Sequence, residues 1–404
     1  MIPRKQYMDK LIAFRHKQLI KIVTGVRRCG KSTLFQLYID YLKSQGVLDE
    51  QIIHVNLEQI ELEALLDYRE LHRYMAQRID ETRPTYLFID EVQNCPQFEK
   101  AVNSLFLRPN LDIHLIGSNA SILSGELATY LSGRYVTIEM LPLSFKEYWE
   151  ARGAEQAEEV SNPERAFAEY LKHGAFPYIA TLAGRTDTIT PYLEGIYTTI
   201  LIKDIATRQA INDLTLLESI IKTVASSIGN PVSLKKISDT LNSSGRKISV
   251  NTVESYMRAL CGSYILYKAD RYDIKGRQYL KTLGKYYLVD TGIRNLLLAQ
   301  SSADFGHQLE NVVYLELLRR GHRVNIGKLG DKEVDFVAAG HDGLSYYQVA
   351  ASVLDETTLH RELDPLSKIK DNHPKILLTM DRLGAGANYD GIRRFNLVDW
   401  LLQE

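Results

Sequence analysis

Short apolar runs alternate with segments of helical periodicity over the first third of the chain. The runs are rich in β-branched and aromatic side chains and are bounded by turn-forming residues, as buried strands are. They cover Leu19–Val23, Gln51–Leu57, Thr85–Ile89, Leu111–Gly117 and Tyr135–Leu141. Between them, apolar residues recur at helical spacing in Thr33–Gln45, Leu62–Asp80 and Gln97–Leu107. Strands that alternate with helices predict a parallel sheet that is covered on both faces.

From Ser144 onward the pattern changes to helices without obvious strands. The predicted helices of this stretch are Phe145–Arg152, Pro163–Lys172 and Thr190–Thr207. An all-helical piece after an α/β core is typical of a lid whose tilt responds to a ligand. Three further amphipathic helices and two β-type runs then predict a winged helix-turn-helix. They are Leu214–Ile228, Ser233–Leu241 and Ser249–Cys261, followed by Tyr264–Asp273 and Gln278–Val289.

Composition narrows the class of protein. A chain of 404 residues exceeds one ordinary core, and 45% hydrophobic with 25% charged residues is typical of a globular protein of two to four domains. No apolar run is long enough to span a bilayer, and Met1–Lys5 does not lead into a signal sequence. The three cysteines make no metal-ligand pair, which favours a cytoplasmic location. The net charge of -1 means that any DNA site must be a local basic patch.

One motif after the first predicted strand has the spacing G-x-x-x-x-G-K-S. It consists of Gly25, Val26, Arg27, Arg28, Cys29, Gly30, Lys31 and Ser32, and Thr33 continues it into a predicted helix. Small residues let consecutive backbone N–H groups curl around a polyphosphate, and the helix presents its positive end to the same anion. Lys31 would reach the β- and γ-phosphates, and the Ser32 hydroxyl would ligate Mg²⁺. The alternative is a glycine turn with a basic residue.

A second motif ends the third apolar run with two acids, Asp90 and Glu91. A buried parallel strand delivers such carboxylates to the carboxyl edge of its sheet. Asp90 would hold Mg²⁺ through its water shell, and Glu91 would orient and deprotonate an attacking water. An Asp-Glu pair alone is usually a turn. Together with the upstream loop it predicts a site for ATP and Mg²⁺.

Two further polar positions are candidates for the same site. Ser118 and Asn119 end the fourth strand. In P-loop ATPases with an extra strand between the two nucleotide motifs, a polar side chain at this position contacts the γ-phosphate or the attacking water. A plain turn is the alternative. Arg134 precedes the fifth strand and is a candidate for the cation that neutralises charge on the γ-phosphate. A surface arginine beside a turn is the competing interpretation. Arg4 is expected on the solvated surface.

The predicted wing is basic and carries interleaved tyrosines. Its six cations are Lys268, Arg271, Lys275, Arg277, Lys281 and Lys285. Such a wing suits contact with the phosphate backbone of double-stranded DNA. Winged helices also serve as protein-contact modules, and Ser249–Cys261 holds only Arg258 as a cation that could read bases.

The chain resembles the prokaryotic AAA+-type ATPases that join a P-loop domain to a C-terminal domain of restriction-endonuclease-like fold. Further motifs carry this resemblance, namely Gln93 after the acidic strand, Leu131–Arg134, Leu141–Phe145 with Glu147, and Gly174-Ala175-Phe176-Pro177. The resemblance implies a P-loop NTPase core of AAA+ (ASCE-like) type with a parallel sheet at 1–143 and a helical lid at 144–210. A winged helix-turn-helix at 211–300 and an α/β nuclease-like domain at 301–404 would follow.

The resemblance also implies a nuclease centre with an acidic helix, an Asp strand and a Glu-x-Lys strand. Glu310 and Asp335 match the first two, but Gln348 and Ala350 stand where the glutamate and the lysine belong. A metal-dependent nuclease needs both of those groups. We therefore expect a degenerate domain in which the two acids are solvated or paired with bases such as Arg319 and Lys332. Weak metal binding by Glu310 and Asp335 is the alternative.

Together these patterns predict a Mg²⁺-dependent ATPase that couples its nucleotide state to DNA or to a partner protein. A slow nucleotide-gated binding switch with little turnover is the first alternative, and an ATP-dependent nuclease is the second. The sequence predicts no membrane partner. It leaves the oligomeric state open, because Arg134 could act within one chain or across an interface.

Overall fold

The architecture is taken from a computed structural model of the chain. It describes residues 1–403 except 124–129, 156–161, 183–184, 208–210, 212, 244, 246 and 299–304. These residues form two compact units, Met1–Pro142 with Gly262–Tyr264, and Leu143–Cys261 with Ile265–Glu404. The predicted domain boundaries near 210 and 300 lie outside the described residues. No helix in the described part of the chain has the length and apolarity to cross a membrane.

The first unit contains the predicted parallel sheet, which is confirmed. Its strands are β1 (Ile20–Thr24), β2 (Ile52–Asn56), β3 (Thr85–Asp90), β4 (Leu111–Gly117) and β5 (Tyr135–Glu139). They lie in the order β2-β3-β4-β1-β5, and every neighbouring pair is parallel. The central strands are buried along their whole length because helices cover both faces, which explains their continuous apolar runs.

The helices of the first unit connect these strands. They are α1 (Lys5–Ala13), α2 (Lys31–Ser44), α3 (Tyr68–Ala76) and α4 (Phe98–Phe106). The predicted helix Leu62–Asp80 is wrong as one element, because a 3₁₀ segment at Ile60–Leu66 precedes α3. The Asp67 side chain accepts the backbone N–H groups of Arg69 and Glu70 at 2.8 and 3.2 Å and so starts a new helix.

The second unit begins with helices, as predicted. The first seven are α5 (Phe145–Glu155), α6 (Pro163–His173), α7 (Pro177–Thr181), α8 (Thr186–Thr199), α9 (Leu214–Ala225), α10 (Leu234–Ser243) and α11 (Val250–Gly262). A π-helical segment, Ile200–Ala206, follows α8. The remaining four are α12 (Thr291–Leu297), α13 (Phe305–Arg319), α14 (Glu356–Ser367) and α15 (Leu397–Leu402).

A mixed sheet of eight strands completes the second unit. Its strands are β6 (Leu266–Asp273), β7 (Gln278–Leu288), β8 (Arg323–Leu329), β9 (Lys332–Gly340), β10 (Gly343–Ala350), β11 (Lys375–Thr379), β12 (Asn388–Tyr389) and β13 (Ile392–Asn396). They lie in the order β12-β13-β11-β10-β9-β8-β6-β7. β6 and β7 form the predicted hairpin, but β6 also pairs in parallel with β8. The hairpin is thus the edge of a larger sheet, and the winged helix stays a prediction.

The Gly-Ala-Phe-Pro motif, residues 174–177, is held in place by a hydrogen bond to the buried Asp290. Asp290 accepts the backbone N–H groups of Ala175 and Ile293, and it caps α12. Gly174 has a φ of +87°, and a side chain there would overlap the Asp290 carboxylate. Burial raises the pKa of Asp290 to about 6, although the N–H donors oppose the shift. The motif therefore has a structural explanation within the second unit.

Candidate nucleotide site

Three strand ends bring the predicted motifs together at one edge of the parallel sheet. β1 leads into Gly25, β3 ends at Asp90, and β4 leads into Ser118. β4 is the neighbour of both other strands, with Thr24 opposite Gly117 and Ile89 opposite Leu115. The carboxyl ends of parallel strands form the ligand-binding edge of an open α/β sheet.

The loop between β1 and α2 has the backbone of a phosphate cradle. Gly25 has a φ of +142°, and a Cβ atom there would overlap the carbonyl oxygen of Met140. Gly30 has a φ of +101° and is the residue before the first turn of α2. Since Gly30 and Lys31 lie at the N-terminus of a 14-residue helix, their N–H groups and the helix dipole favour an anion.

Lys31 is buried and folds back onto its own loop. Its ammonium group donates hydrogen bonds to the carbonyl oxygens of Gly25 at 2.8 Å and Val26 at 3.0 Å. These bonds hold the positive charge beside the loop. A polyphosphate that binds the lysine must exchange these two bonds to neutral carbonyl oxygens for bonds to phosphate oxygens, in which both partners are charged.

The groups that would hold Mg²⁺ are available. Ser32 and Thr33 are exposed on the first turn of α2. Asp90 is 1% exposed, and its Oδ1 atom is buried without a hydrogen-bond partner among the described residues. A buried carboxylate oxygen is normally paired. A hydroxyl and a carboxylate are the hard oxygen donors that Mg²⁺ prefers, so these residues fit the ion.

Glu91 stands in a strained backbone conformation directly after β3. Its φ is +53°, which is uncommon for a residue with a side chain. The Oε2 atom accepts hydrogen bonds from the Gln93 amide and, at 3.3 Å, from the Ser118 hydroxyl. Burial raises the pKa of Glu91, and the neighbouring Lys31 and Arg27 oppose that shift. Strain and a raised pKa in one residue are typical of catalytic positions.

Comparisons with known proteins agree with this geometry. Residues 17–149 match the family described as "AAA domain". An uncharacterized protein of Haemophilus influenzae is 40% identical over 405 residues, which cover 100% of this chain and 99% of that protein. The chain belongs to this family of AAA-domain proteins. An uncharacterized protein of Methanocaldococcus jannaschii is 30% identical over 370 residues, which cover 87% of this chain and 79% of that protein.

The similarity continues beyond the AAA domain. Residues 164–304 match a family described as a domain of unknown function, DUF8612. The solved structure of a Walker-type ATPase of Pyrococcus abyssi aligns with a TM-score of 0.51 and 16% identity. The alignment covers 74% of this chain and 96% of that chain. At this identity the likeness concerns the fold alone.

Arg134 is not brought to the P-loop within this AAA-domain chain. Its carbonyl oxygen accepts the N–H of Ile20, and Tyr135 lies opposite Ile20 at the start of β1. The loop follows the other end of β1, about 13 Å away at the usual rise of a strand. The guanidinium donates to Asn103 Oδ1 at 2.6 Å and lies 5.6 Å from the Phe106 ring centroid. A role within one chain has no support from this arrangement.

Asn119 is buried beside the site, with an exposed fraction of 3%. Its position directly after Ser118, whose hydroxyl contacts Glu91, puts it at the same edge of the sheet. The predicted contact between Asn119 and a γ-phosphate stays a prediction.

Sequence reasoning missed two side chains. Gln93 appeared only as part of a family motif, although its amide is a direct partner of Glu91. Arg4 was expected on the surface, which is wrong, because it is 2% exposed and donates to the Cys29 carbonyl oxygen at 2.9 Å. The separation of 25 residues along the chain hides that contact from any local pattern.

The acids of the C-terminal domain have other partners than expected. Arg319 pairs with Glu316 at 2.6 Å, and Lys332 pairs with Asp364. Glu310 instead lies 3.5 Å from the ammonium of Lys285, which also contacts Glu333 at 2.7 Å. Since Arg319 and Lys332 pair with other acids and Glu310 pairs with Lys285, the expected pairing of Glu310 with Arg319 or Lys332 is wrong.

Asp335 completes this acid cluster, which we define as Glu310, Glu333 and Asp335 around Lys285. Its Oδ2 atom accepts the backbone N–H of Val349 at 2.8 Å. Burial, and then the charge of Glu310, raise the pKa of Asp335 well above its usual value, whereas Lys285 lowers it. Within the described residues no group of three or more His, Cys, Asp or Glu side chains could hold a metal ion.

Gln348 and Ala350 stand in β10 as the sequence indicates. Gln348 is occupied on both sides, because its Oε1 accepts the N–H of Asp335 at 3.4 Å and its amide donates to Glu362 at 2.9 Å. Gln348 therefore connects the backbone of Asp335 to the side chain of Glu362, and neither end of its amide is free for a ligand.

The basic residues of the hairpin are partly neutralised. Lys268 pairs with Asp270 at 2.6 Å, Arg271 pairs with Glu333 at 3.1 Å, and Lys285 is buried. Lys275 and Arg277 remain exposed at the turn. The positive patch is smaller than the residue count of the sequence suggests.

Proposed function

We propose that the protein binds ATP together with Mg²⁺ at the carboxyl edge of the parallel sheet and hydrolyses it. The observation that carries this proposal is Glu91, a buried, strained carboxylate of raised pKa beside the phosphate loop. A protein that only bound nucleotide would need no such base. The family match to AAA domains supports the same activity.

The roles follow from the chemistry of each side chain. The N–H groups of residues 25–33 and the ammonium of Lys31 bind the phosphates, and Ser32 and Asp90 hold the metal directly and through water. Mg²⁺ supplies positive charge that offsets the charge on the β- and γ-oxygens. Glu91 orients the attacking water and accepts its proton, and Asn119 contacts the γ-phosphate or that water. Arg134 acts on the γ-phosphate only if it reaches the nucleotide site of a second copy of the chain.

The nucleotide state would act on the rest of the chain, through a lid at 144–210, a winged helix at 211–300 and a nuclease-like domain at 301–404. Double-stranded DNA is the proposed target, with Lys275 and Arg277 at the hairpin turn as phosphate contacts. A protein partner is the alternative target. The exposure of these two cations supports the DNA contact.

A slow nucleotide-gated switch is the second candidate. The contacts of Gln93 and Ser118 with the same oxygen of Glu91 support it, because a carboxylate held in this way must be released or reoriented before it meets water.

Phosphate release by wild type and by Glu91→Gln separates the two candidates. If the protein is an ATPase, Glu91→Gln loses about 10²–10³-fold in turnover and still binds ATP. Glu70→Gln, which removes an exposed acid of the same unit, is the control and should be unchanged. Equal turnover in wild type and Glu91→Gln contradicts hydrolysis and leaves the switch. ATP binding by Lys31→Ala as tight as by wild type contradicts both candidates.

A further inference from the structure

The Arg4 side chain is a buried cation at the very start of the first unit. Its Nη1 donates to the carbonyl oxygen of Cys29 at 2.9 Å, and its Nη2 donates to those of Leu141 at 2.7 Å and Pro142 at 3.4 Å. The guanidinium also lies 4.9 Å from the ring centroid of Tyr7. One side chain thus joins the phosphate loop to the segment that follows β5.

The same segment supports the other end of the loop. Gly25 packs against the carbonyl oxygen of Met140, so closely that no side chain fits there. The backbone N–H of Leu141 donates to the Tyr7 hydroxyl at 3.1 Å. The loop is therefore held at Gly25 by close packing and at Cys29 by a charge-assisted hydrogen bond, both against residues 140–142.

The contact with Cys29 has a consequence for the next residue. The peptide unit between Cys29 and Gly30 is planar and trans, so its C=O and N–H point in opposite directions. Because the Cys29 carbonyl oxygen faces Arg4, the N–H of Gly30 faces away from Arg4. Gly30 has no side chain and a φ of +101°, so little else fixes the orientation of this peptide.

We infer that Arg4 is a positioning residue of the phosphate cradle. It holds the Cys29–Gly30 peptide so that the Gly30 N–H is directed at the bound polyphosphate, and it never touches the ligand itself. The ligand class is a nucleoside triphosphate, recognised here through its phosphates. This inference rests on the proposed nucleotide binding and adds a residue that the loop motif does not contain.

The test compares the binding of ATP and of inorganic tripolyphosphate by Arg4→Lys, Arg15→Lys and wild type, measured by calorimetry. A lysine keeps the charge of Arg4 but lacks the planar fork whose two terminal nitrogens bond to Cys29 and to Leu141 separately. Arg4→Lys should weaken both ligands by a similar factor, about tenfold, which is the size of a lost charge-assisted hydrogen bond. Arg15 donates to the Tyr86 hydroxyl at the other end of the sheet, so Arg15→Lys should stay within about twofold of wild type.

A second measurement separates positioning from a merely structural role. Arg4→Ala is titrated with ethylguanidinium, which can occupy the space of the lost side chain, while the unfolding midpoint is recorded by circular dichroism. Recovery of tripolyphosphate binding without a matching change in the midpoint supports the inference. A loss that ethylguanidinium does not restore overturns it, as does Arg4→Lys binding both ligands like wild type. A wild-type protein that binds neither ligand overturns the proposed function as well.

Discussion

Two sites in this protein gather acidic side chains at a sheet, and they differ in what supplies the opposite charge. At the parallel sheet, the Asp90 Oδ1 atom is buried without a hydrogen-bond partner among the described residues, while Lys31 stays on its own loop. In the acid cluster, Lys285 lies between Glu310 and Glu333, and Gln348 is bound to Glu362. The first arrangement leaves charge for a ligand to satisfy. The second pairs its charges internally, although Glu310 Oε2 also lacks a hydrogen-bond partner among the described residues.

The difference shows that acidic residues gathered at a sheet do not by themselves mark a metal site. What matters is whether another side chain already supplies the opposite charge. Buried ions without a partner are costly, so a cluster that is stable on its own contains its counter-ion. The P-loop edge can leave this charge unmatched because exchange of ligands is its proposed function.

The largest expected effect is on the stability of the second unit. Lys285→Met leaves the buried Glu310 and Asp335 without the nearby cation, which should cost about 3–5 kcal/mol. Both tryptophans, Trp149 and Trp400, lie in the second unit, so tryptophan fluorescence in a urea titration reports on it. Lys31→Met should leave that fluorescence midpoint unchanged. Equal midpoints for Lys285→Met and wild type would mean that the cluster does not need its lysine.

The next effect concerns the metal. Asp90→Asn should weaken ATP binding in the presence of Mg²⁺ by about tenfold, in line with the loss of a group that supports a metal through water. Binding without Mg²⁺ should change little. Asp335→Asn is the matched control and should bind Mg²⁺-ATP like wild type. Binding is measured by calorimetry. An equal loss of Mg²⁺-ATP affinity in Asp90→Asn and Asp335→Asn would contradict the difference that we infer between the nucleotide site and the acid cluster.

Gln93→Ala should change the pH dependence of turnover. Its amide donates to the Glu91 carboxylate and so favours the charged form, whereas burial raises the pKa of Glu91. Without that donor the pKa of Glu91 rises further, so the acidic limb of kcat/KM should move to higher pH. Rates should converge at pH values well above that limb. Asn94→Ala serves as the control, and an unmoved limb in Gln93→Ala argues against the coupling.

The last prediction is that the protein has no nuclease activity. Because Lys285 and Arg271 supply cations to the acid cluster and Gln348 is occupied, we expect no DNA cleavage with Mg²⁺ or Mn²⁺. The measurement is nicking of supercoiled plasmid by wild type and by Asp335→Ala. Cleavage by wild type that disappears in Asp335→Ala would establish a nuclease and reverse our interpretation of the cluster.

Much of the first unit could be predicted because its signals are local. A parallel strand covered on both faces is a continuous apolar run, and the glycine spacing before Lys31 sets the loop within eight residues. The helix Leu62–Asp80 was predicted wrongly because the capping contacts of Asp67 outweigh its apolar periodicity. The hairpin was found, but its pairing with β8 was not, since register between distant strands leaves no local pattern.

The loop, the acidic strand end and the order of the elements follow from local sequence patterns, because each depends on residues a few positions apart. Which charges meet depends on the three-dimensional fold. It brought Arg4 to Cys29 and Lys285 to Glu310, and it kept Arg134 at the far end of β1. Pairing of charges depends on distances in space, and folding joins side chains whose separation along the chain carries no information about that distance.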